Sequence, residues 1–305
     1  MIKFLSRPSV PQSLSVLATL LLMQSIPSAL AAEQLDPAVI GEASGARPSV
    51  TDDGVVRIGW SRADVEVTVD GMALPPAAGL GSWAAFTATR DGARVMGDTV
   101  VFQDEVDAAM DAAFAHDLDV TALHNHFFYD SPRVYFMHIG GHGDAEALAA
   151  GVGAVWKAIR AVREARPRPA SGFGGATPVP GDLDADALAE VVGHPAKVND
   201  GVVKIAIGRT GRANGQAIGA SMGLTTWAAF SGSDELAAID GDFIMTGDEV
   251  QPVLRALREG GLHVVALHNH MTGEQPGFYF THYWGKGPAA TLARAFRRAL
   301  EAQAD

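Results

Sequence analysis

The chain has 305 residues, 23 basic against 35 acidic side chains for a formal charge of −12, and no cysteine. The acidic balance argues against nucleic acid and anionic membrane surfaces as partners. The absence of thiols excludes a disulfide framework and leaves no cysteine for a lipid anchor.

Residues 1–31 read as a signal peptide. Lys3 and Arg7 supply the positive region, Leu14 to Met23 is mostly apolar, and Ala29-Leu30-Ala31 is a small-x-small cleavage site. That apolar core is too short to span a bilayer, and no other stretch reads as transmembrane. The mature protein is therefore expected to be periplasmic or secreted. Without Lys3 and Arg7 it has 21 basic against 35 acidic side chains, a charge of −14.

The rest is a duplication. Trp83-Ala84-Ala85-Phe86 matches Trp227-Ala228-Ala229-Phe230, Gly97-Asp98 matches Gly241-Asp242, and Asp104-Glu105-Val106 matches Asp248-Glu249-Val250, all at an offset of 144. Asp53-Gly54-Val55-Val56 matches Asp200-Gly201-Val202-Val203 at 147, so small insertions separate the copies. The expected organisation is a first repeat domain over 32–165, a Pro/Gly/Ala-rich linker over 166–181 and a second repeat domain over 182–305. The halves are expected to pack as a pseudo-dimer.

In the first half, Val55 to Trp60 and Val65 to Val69 read as strands, Gly71 to Gly81 as a loop, and Trp83 to Thr89 and Thr99 to Phe102 as further strands. Asp104 reads as the N-cap of a helix through Ala115. Strands over Val120 to Phe127 and Arg133 to Ile139 and a helix from Asp144 to about Val162 follow. The second half repeats the order and ends in a helix over Ala289 to Ala302. Each half is expected to be an α+β domain, a mostly antiparallel sheet with packed helices.

The chemistry concentrates in Leu123-His124-Asn125-His126, with His138 eleven residues beyond Phe127, and in its copy Leu267-His268-Asn269-His270 with His282. Alternate side chains of a strand share a face, so His124 and His126 are expected to point together, and His268 and His270 likewise. His138 and His282 fall on the next strand, about 4.8 Å away. Three convergent imidazoles make a transition-metal site, with zinc preferred and other divalent transition metals admitted. The competing reading is a hydrogen-bonded polar layer.

Around these sites Glu105 and Glu249 are candidate fourth ligands or general bases, and Arg62 and Arg209 candidate clamps for an anionic substrate. The ordinary readings are a favourable charge at a helix start and a surface salt bridge. Glu274 follows His270 closely, with Asp130 at the matching place. Tyr135 and Tyr279 fall on the face opposite His138 and His282, and Asn125 and Asn269 suit structural hydrogen bonds. His142 becomes Lys286 in the second half, whereas His116, His194 and His263 have no partner pattern. Ser221 has the spacing of a nucleophile elbow but precedes a strand, the wrong context for one.

The runs SWAAF and TWAAF, ALHNHFF, VYFMHIGG and ALHNHMTGEQPGFYFTHYWGKGP resemble the LppY/LpqO family of exported bacterial proteins, over nearly the whole mature chain. That resemblance implies no particular reaction. The order His-x-His, then a third His in a Gly-rich setting, is also similar to the zinc site of acetolactate decarboxylase and its fold relatives. This resemblance implies an open metal position with a glutamate and an arginine beside it, roles for Glu105 or Glu249 and Arg62 or Arg209. A cupin pattern fits less well, because His282 arrives too soon for its second motif.

The expected function is an exported metal-dependent hydrolase acting on a small molecule through metal-activated water, with a lyase or decarboxylase ranked below it. The alternative is a periplasmic metal- or ligand-binding protein without turnover.

Overall fold

The computed structural model describes residues 34–303, and the expected signal segment lies outside them. The first half contains α1 (Pro37–Ser44), β1 (Ser49–Val50), β2 (Val56–Ser61), β3 (Thr68–Val69), β4 (Met72–Ala73), β5 (Gly81–Thr89), β6 (Gly92–Phe102), α2 (Val106–Ala115), β7 (Asp119–His124), β8 (Asp130–Ser131), β9 (Val134–Gly143) and α3 (Ala145–Ala165). The second contains α4 (Ala185–Val192), β10 (Ala196–Asn199), β11 (Val202–Gly208), β12 (Gly211–Ala213), β13 (Gln216–Ile218), β14 (Thr225–Gly232), β15 (Ala237–Met245), α5 (Gly247–Glu259), β16 (His263–His268), β17 (Glu274–Gln275), β18 (Tyr279–Gly287) and α6 (Ala289–Ala302).

Each half is an α+β unit, and twelve strands from the two halves form one antiparallel sheet. Its order is β1-β2-β5-β6-β9-β7-β16-β18-β15-β14-β11-β10, so the second half reads back through the equivalents of the first. The halves meet where β7 pairs antiparallel with β16, with Leu123 opposite Leu267. Those two leucines are the same position of the repeat, which puts a pseudo-twofold axis through the centre of the sheet.

Strand alternation decides what each face carries. Val95, Val101, Val120, Leu123, Met137 and Ile139 point to one side, with Ile239, Phe243, Val264 and Leu267 of the second half. There they join residues of all six helices in one buried cluster. In α2 the buried residues Val106, Ala109, Met110, Ala113 and Phe114 recur at helical spacing, as do Leu148, Val152, Val155, Trp156 and Ile159 in α3. Burying each large apolar side chain contributes about 1.5–3 kcal/mol, so this shared core ties the halves together.

The opposite face carries two small apolar clusters. One comprises Val67, Leu80, Val100, Phe102, Val134 and Phe136, the other Ile218, Leu224, Ile244, Phe278 and Phe280. Two three-stranded ribbons, β4-β3-β8 and β13-β12-β17, lie outside the main sheet. Between the two clusters are the histidines.

Several expected elements moved. The strand expected over Val65 to Val69 pairs only at Thr68–Val69, because Val65 and Val67 tuck into the first small cluster instead. β6 begins at Gly92, well before the expected Thr99. Asp104 does not cap α2: its carboxylate is taken by Arg163 and by the Ala170 N–H at 3.1 Å. The linker is laid against the domain, with Phe173 stacked on His263 at 3.7 Å and Lys286 Nζ donating to the Gly174 carbonyl at 2.6 Å. Among the described residues no helix is long and apolar enough to cross a membrane.

Candidate metal centre

β7 and β16 stop at His124 and His268, one residue past the central leucines. Leu123 and Leu267 point into the helical core, so the histidines beside them point to the other face. His138 stands across the ladder from Ala122, and His282 from Ala266.

His126 and His270 reach the same place by a route the alternation argument did not foresee. Both lie beyond the strand ends, in loops. Asn125 Nδ2 donates to the Phe127 carbonyl at 2.9 Å, and Asn269 Nδ2 to the Met271 carbonyl at 2.7 Å, which turns each loop back. The third imidazole then lies flat on a phenyl ring: His126 on Phe136 at 3.3 Å and His270 on Phe280 at 3.4 Å. The asparagines thus make the structural bonds expected of them.

Ring orientation favours ligation through Nε2. His268 Nδ1 lies 3.1 Å from the Asn269 carbonyl and His282 Nδ1 3.2 Å from the Gly241 carbonyl. Each Nδ1–H donates there, leaving the Nε2 lone pair for a cation. In the second half the three histidines bring a ligand atom each to within 4.8 Å of one another, the one such group among the described residues. In the first half His124 and His138 meet Nε2 to Nε2 at 3.0 Å, but His126 does not close to the same radius. Two imidazoles on one tetrahedral ion have nitrogens about 3.3 Å apart.

The sequence reading passed over the carboxylates that accompany the histidines. Asp98 stands directly across from His138, and Asp242 from His282. Asp242 Oδ2 is 3.6 Å from His270 Nε2, and Asp98 Oδ1 is 3.9 Å from His138 Nε2. Both aspartates are buried, and Oδ1 of each has no hydrogen-bond partner. A buried anionic oxygen without a donor is costly, and a cation in the triad offsets that cost. Burial pushes the Asp242 carboxyl up, against the pull of His282 and His268. Burial and the neighbouring imidazoles push His270 below the usual histidine range, which keeps it neutral as a ligand must be. Three imidazoles with an adjacent carboxylate fit zinc or a similar divalent transition ion. The Gly-Asp pair at offset 144 was the signal: an added Cβ at Gly241 would collide with the Trp227 carbonyl and the Tyr283 hydroxyl.

The structure does not bring Glu105, Glu249, Arg62 and Arg209 to the histidines. It pairs them with each other. Glu105 is fully buried and accepts from Arg62 Nη1 and Nη2, both at 2.8 Å, and from the Phe102 N–H at 2.8 Å. Arg163 Nε adds a contact at 2.6 Å. In the second half Arg209 holds Glu249 at 2.5 and 2.8 Å, and Glu249 closes a capping box with Thr246 at the start of α5. The Phe102 end of β6 is four residues from Asp98, about 13 Å along the strand. The two pairs fasten helix starts to the sheet, and Arg62, whose Nε, Nη1 and Nη2 are all engaged, has no donor left to serve a substrate.

Glu274 Oε1 and Asp130 Oδ2 likewise hold their own loops, accepting from Phe278 and Val134 N–H at 3.0 and 2.6 Å. His263 is paired across the halves with Asp107 at 2.5 Å. Beside the second triad lies an open cavity of about 410 Å³, lined by His268, Asn269, Met271, Thr272 and Glu274, with Thr121 and Ala122 of the other half.

The family model described as "Domain of Unknown Function (DUF1259)" matches residues 38–158 and again 186–302. No curated protein matches the chain. A solved structure it matches, a trimeric bacterial microcompartment shell protein PduB, is 12% identical over 84% of this chain and 89% of that one, with a TM-score of 0.19 that carries no argument about fold.

Proposed function

Given that the chain belongs to the duplicated Domain of Unknown Function (DUF1259) family, whose description names no reaction, we propose from its own side chains that it is a metal-dependent hydrolase exported to the periplasm or beyond. Within that family we assign it to the LppY/LpqO group on the motifs around His124 and His268. The observation that carries the reading is the second triad, three histidines with ligand atoms within 4.8 Å beside the buried Asp242 and an open cavity.

A divalent ion bound there, zinc by preference, supplies Lewis acidity and lowers the pKa of water. The histidines would hold it through Nε2, with His268 and His282 fixed by the carbonyls that accept from their Nδ1. Asp242, whose Oδ2 stands 3.6 Å from His270 Nε2, is the carboxylate placed to take a proton from the water. The cavity admits a small molecule next to His268. The zinc-site analogy with acetolactate decarboxylase supports the histidine order but not the supporting residues, since Glu105 and Arg62 neutralise each other.

Elemental mass spectrometry of the purified chain tests the site. One or two equivalents of zinc, of which His268→Ala removes one, followed by turnover of an ester or amide panel that Asp242→Asn abolishes, support the reading. Absence of metal after refilling overturns it, and bound metal without turnover across the panel returns the site to storage or sensing.

A further inference from the structure

We propose that the two histidine triads are halves of one two-centre receptor, which takes a single ligand with an anionic head at each end. This rests on the metal-site reading above and extends it from each half to the pair.

The argument begins at the central ladder. Leu123 faces Leu267 across β7 and β16, and the two strands run antiparallel. Continuing that antiparallel register one step to either side sets Ala122 against His268 and His124 against Ala266. Ala122 is also paired with His138, and Ala266 with His282. Two rows therefore cross the sheet side by side. One runs Asp98, His138, Ala122, His268, and the other His124, Ala266, His282, Asp242.

All of these side chains share the face away from the helices, because their neighbours Leu123, Met137, Leu267 and Phe243 are in the core. In each row one alanine separates a histidine of the first triad from one of the second. Two strand spacings set the centres about 10 Å apart, on one surface and with no wall of sequence between them. The small, half-buried alanines make the floor of that gap. The cavity beside His268 reaches across the seam as far as Thr121 and Ala122 of the first half.

Each centre would present a cation held by imidazoles, His124 and His138 in the first half and the closed triad in the second, with one aspartate at the outer end of its row. Positive charge thus faces inward across the alanine floor, and a dianion with separated heads satisfies both centres at once. Two phosphoryl or carboxylate groups on one small molecule are the matching chemistry. Binding both heads makes the second attachment intramolecular, worth about 10²-fold or more over a single-headed anion.

The test uses the full mature chain loaded with Cu²⁺, and then with Zn²⁺. Two Cu²⁺ per chain, with a dipole-coupled half-field electron paramagnetic resonance signal that disappears in His124→Ala, are expected. Calorimetry of the zinc form with linear dicarboxylates from malonate to suberate should show a maximum at one chain length. That maximum should lie about 10²-fold above acetate and fall to the acetate level in His124→Ala. Two uncoupled Cu²⁺, one Cu²⁺ per chain, or dicarboxylates no better than acetate at every length would overturn the two-centre receptor while leaving a metal site standing. Failure to bind any Cu²⁺ or Zn²⁺ overturns both this inference and the metal-site reading.

Discussion

Asp242 stands directly across the ladder from His282, and its Oδ2 lies 3.6 Å from Nε2 of His270. One buried carboxylate thus touches the triad from the strand side and from the loop side. Asp98 repeats only the strand-side part, standing across from His138 with Oδ1 3.9 Å from its Nε2.

Asp242→Asn keeps the shape and removes the charge. Metal affinity of the second centre should fall about 10- to 100-fold, the usual cost of losing a supporting carboxylate beside metal-bound histidines. Competition with a chromophoric chelator measures it, with circular dichroism confirming an unchanged fold. Undiminished affinity would remove Asp242 from the site.

Removing Arg62 leaves Glu105 fully buried without its bidentate partner. Arg62→Ala should cost about 3–5 kcal/mol, the range for breaking a buried pair. Arg209→Ala should cost less, because the Arg209 and Glu249 side chains keep 29% and 16% of their exposure. Urea denaturation of the two variants compares them directly. Equal losses would contradict the difference in burial.

The same second pair sets a pH dependence. Burial raises the Glu249 carboxyl, but Arg209, the Thr246 N–H and Gln303 together outweigh it and hold it below its ordinary value. A carboxyl lowered in the folded state contributes stability that is present above its unfolded pKa and is lost as pH falls through the folded one. Melting temperature should therefore drop below about pH 4.5 in the wild type, and less steeply in Glu249→Gln. Parallel curves would show that this pair does not carry the effect.

The two halves share one sheet and one apolar cluster, so they should unfold together. Calorimetry of the mature chain should give a single transition with calorimetric and van't Hoff enthalpies in agreement. Residues 182–305 expressed alone would leave the β16 edge open, and such an edge pairs with another copy. Light scattering should find that fragment associated, and a stable monomer would count against the shared-core account.

Much of the site could be read along the chain because the repeat displays each residue twice. The offset of 144 singled out six histidines, and alternation set Tyr135 on the face opposite His138, where it packs against the helical core. Alternation failed at His126 and His270, where the strand ends and an asparagine side chain turns the loop. It was silent on Asp98 and Asp242, which precede the first histidine of their triad by 26 residues and meet the triad only where they pair across the ladder with His138 and His282.

The sequence by itself determined the duplication, the α+β pattern of each half and the set of candidate metal ligands. These depend on local periodicity and on residue type, which any segment carries with it. Only the tertiary structure decided that Glu105 and Arg62 neutralise each other, that Asp98 and Asp242 accompany the histidines, and that β7 meets β16. Which strands become neighbours is settled by burying one face of all twelve against six helices at once. No single segment holds that information, because the free energy of each pairing belongs to both strands and to the core beneath them.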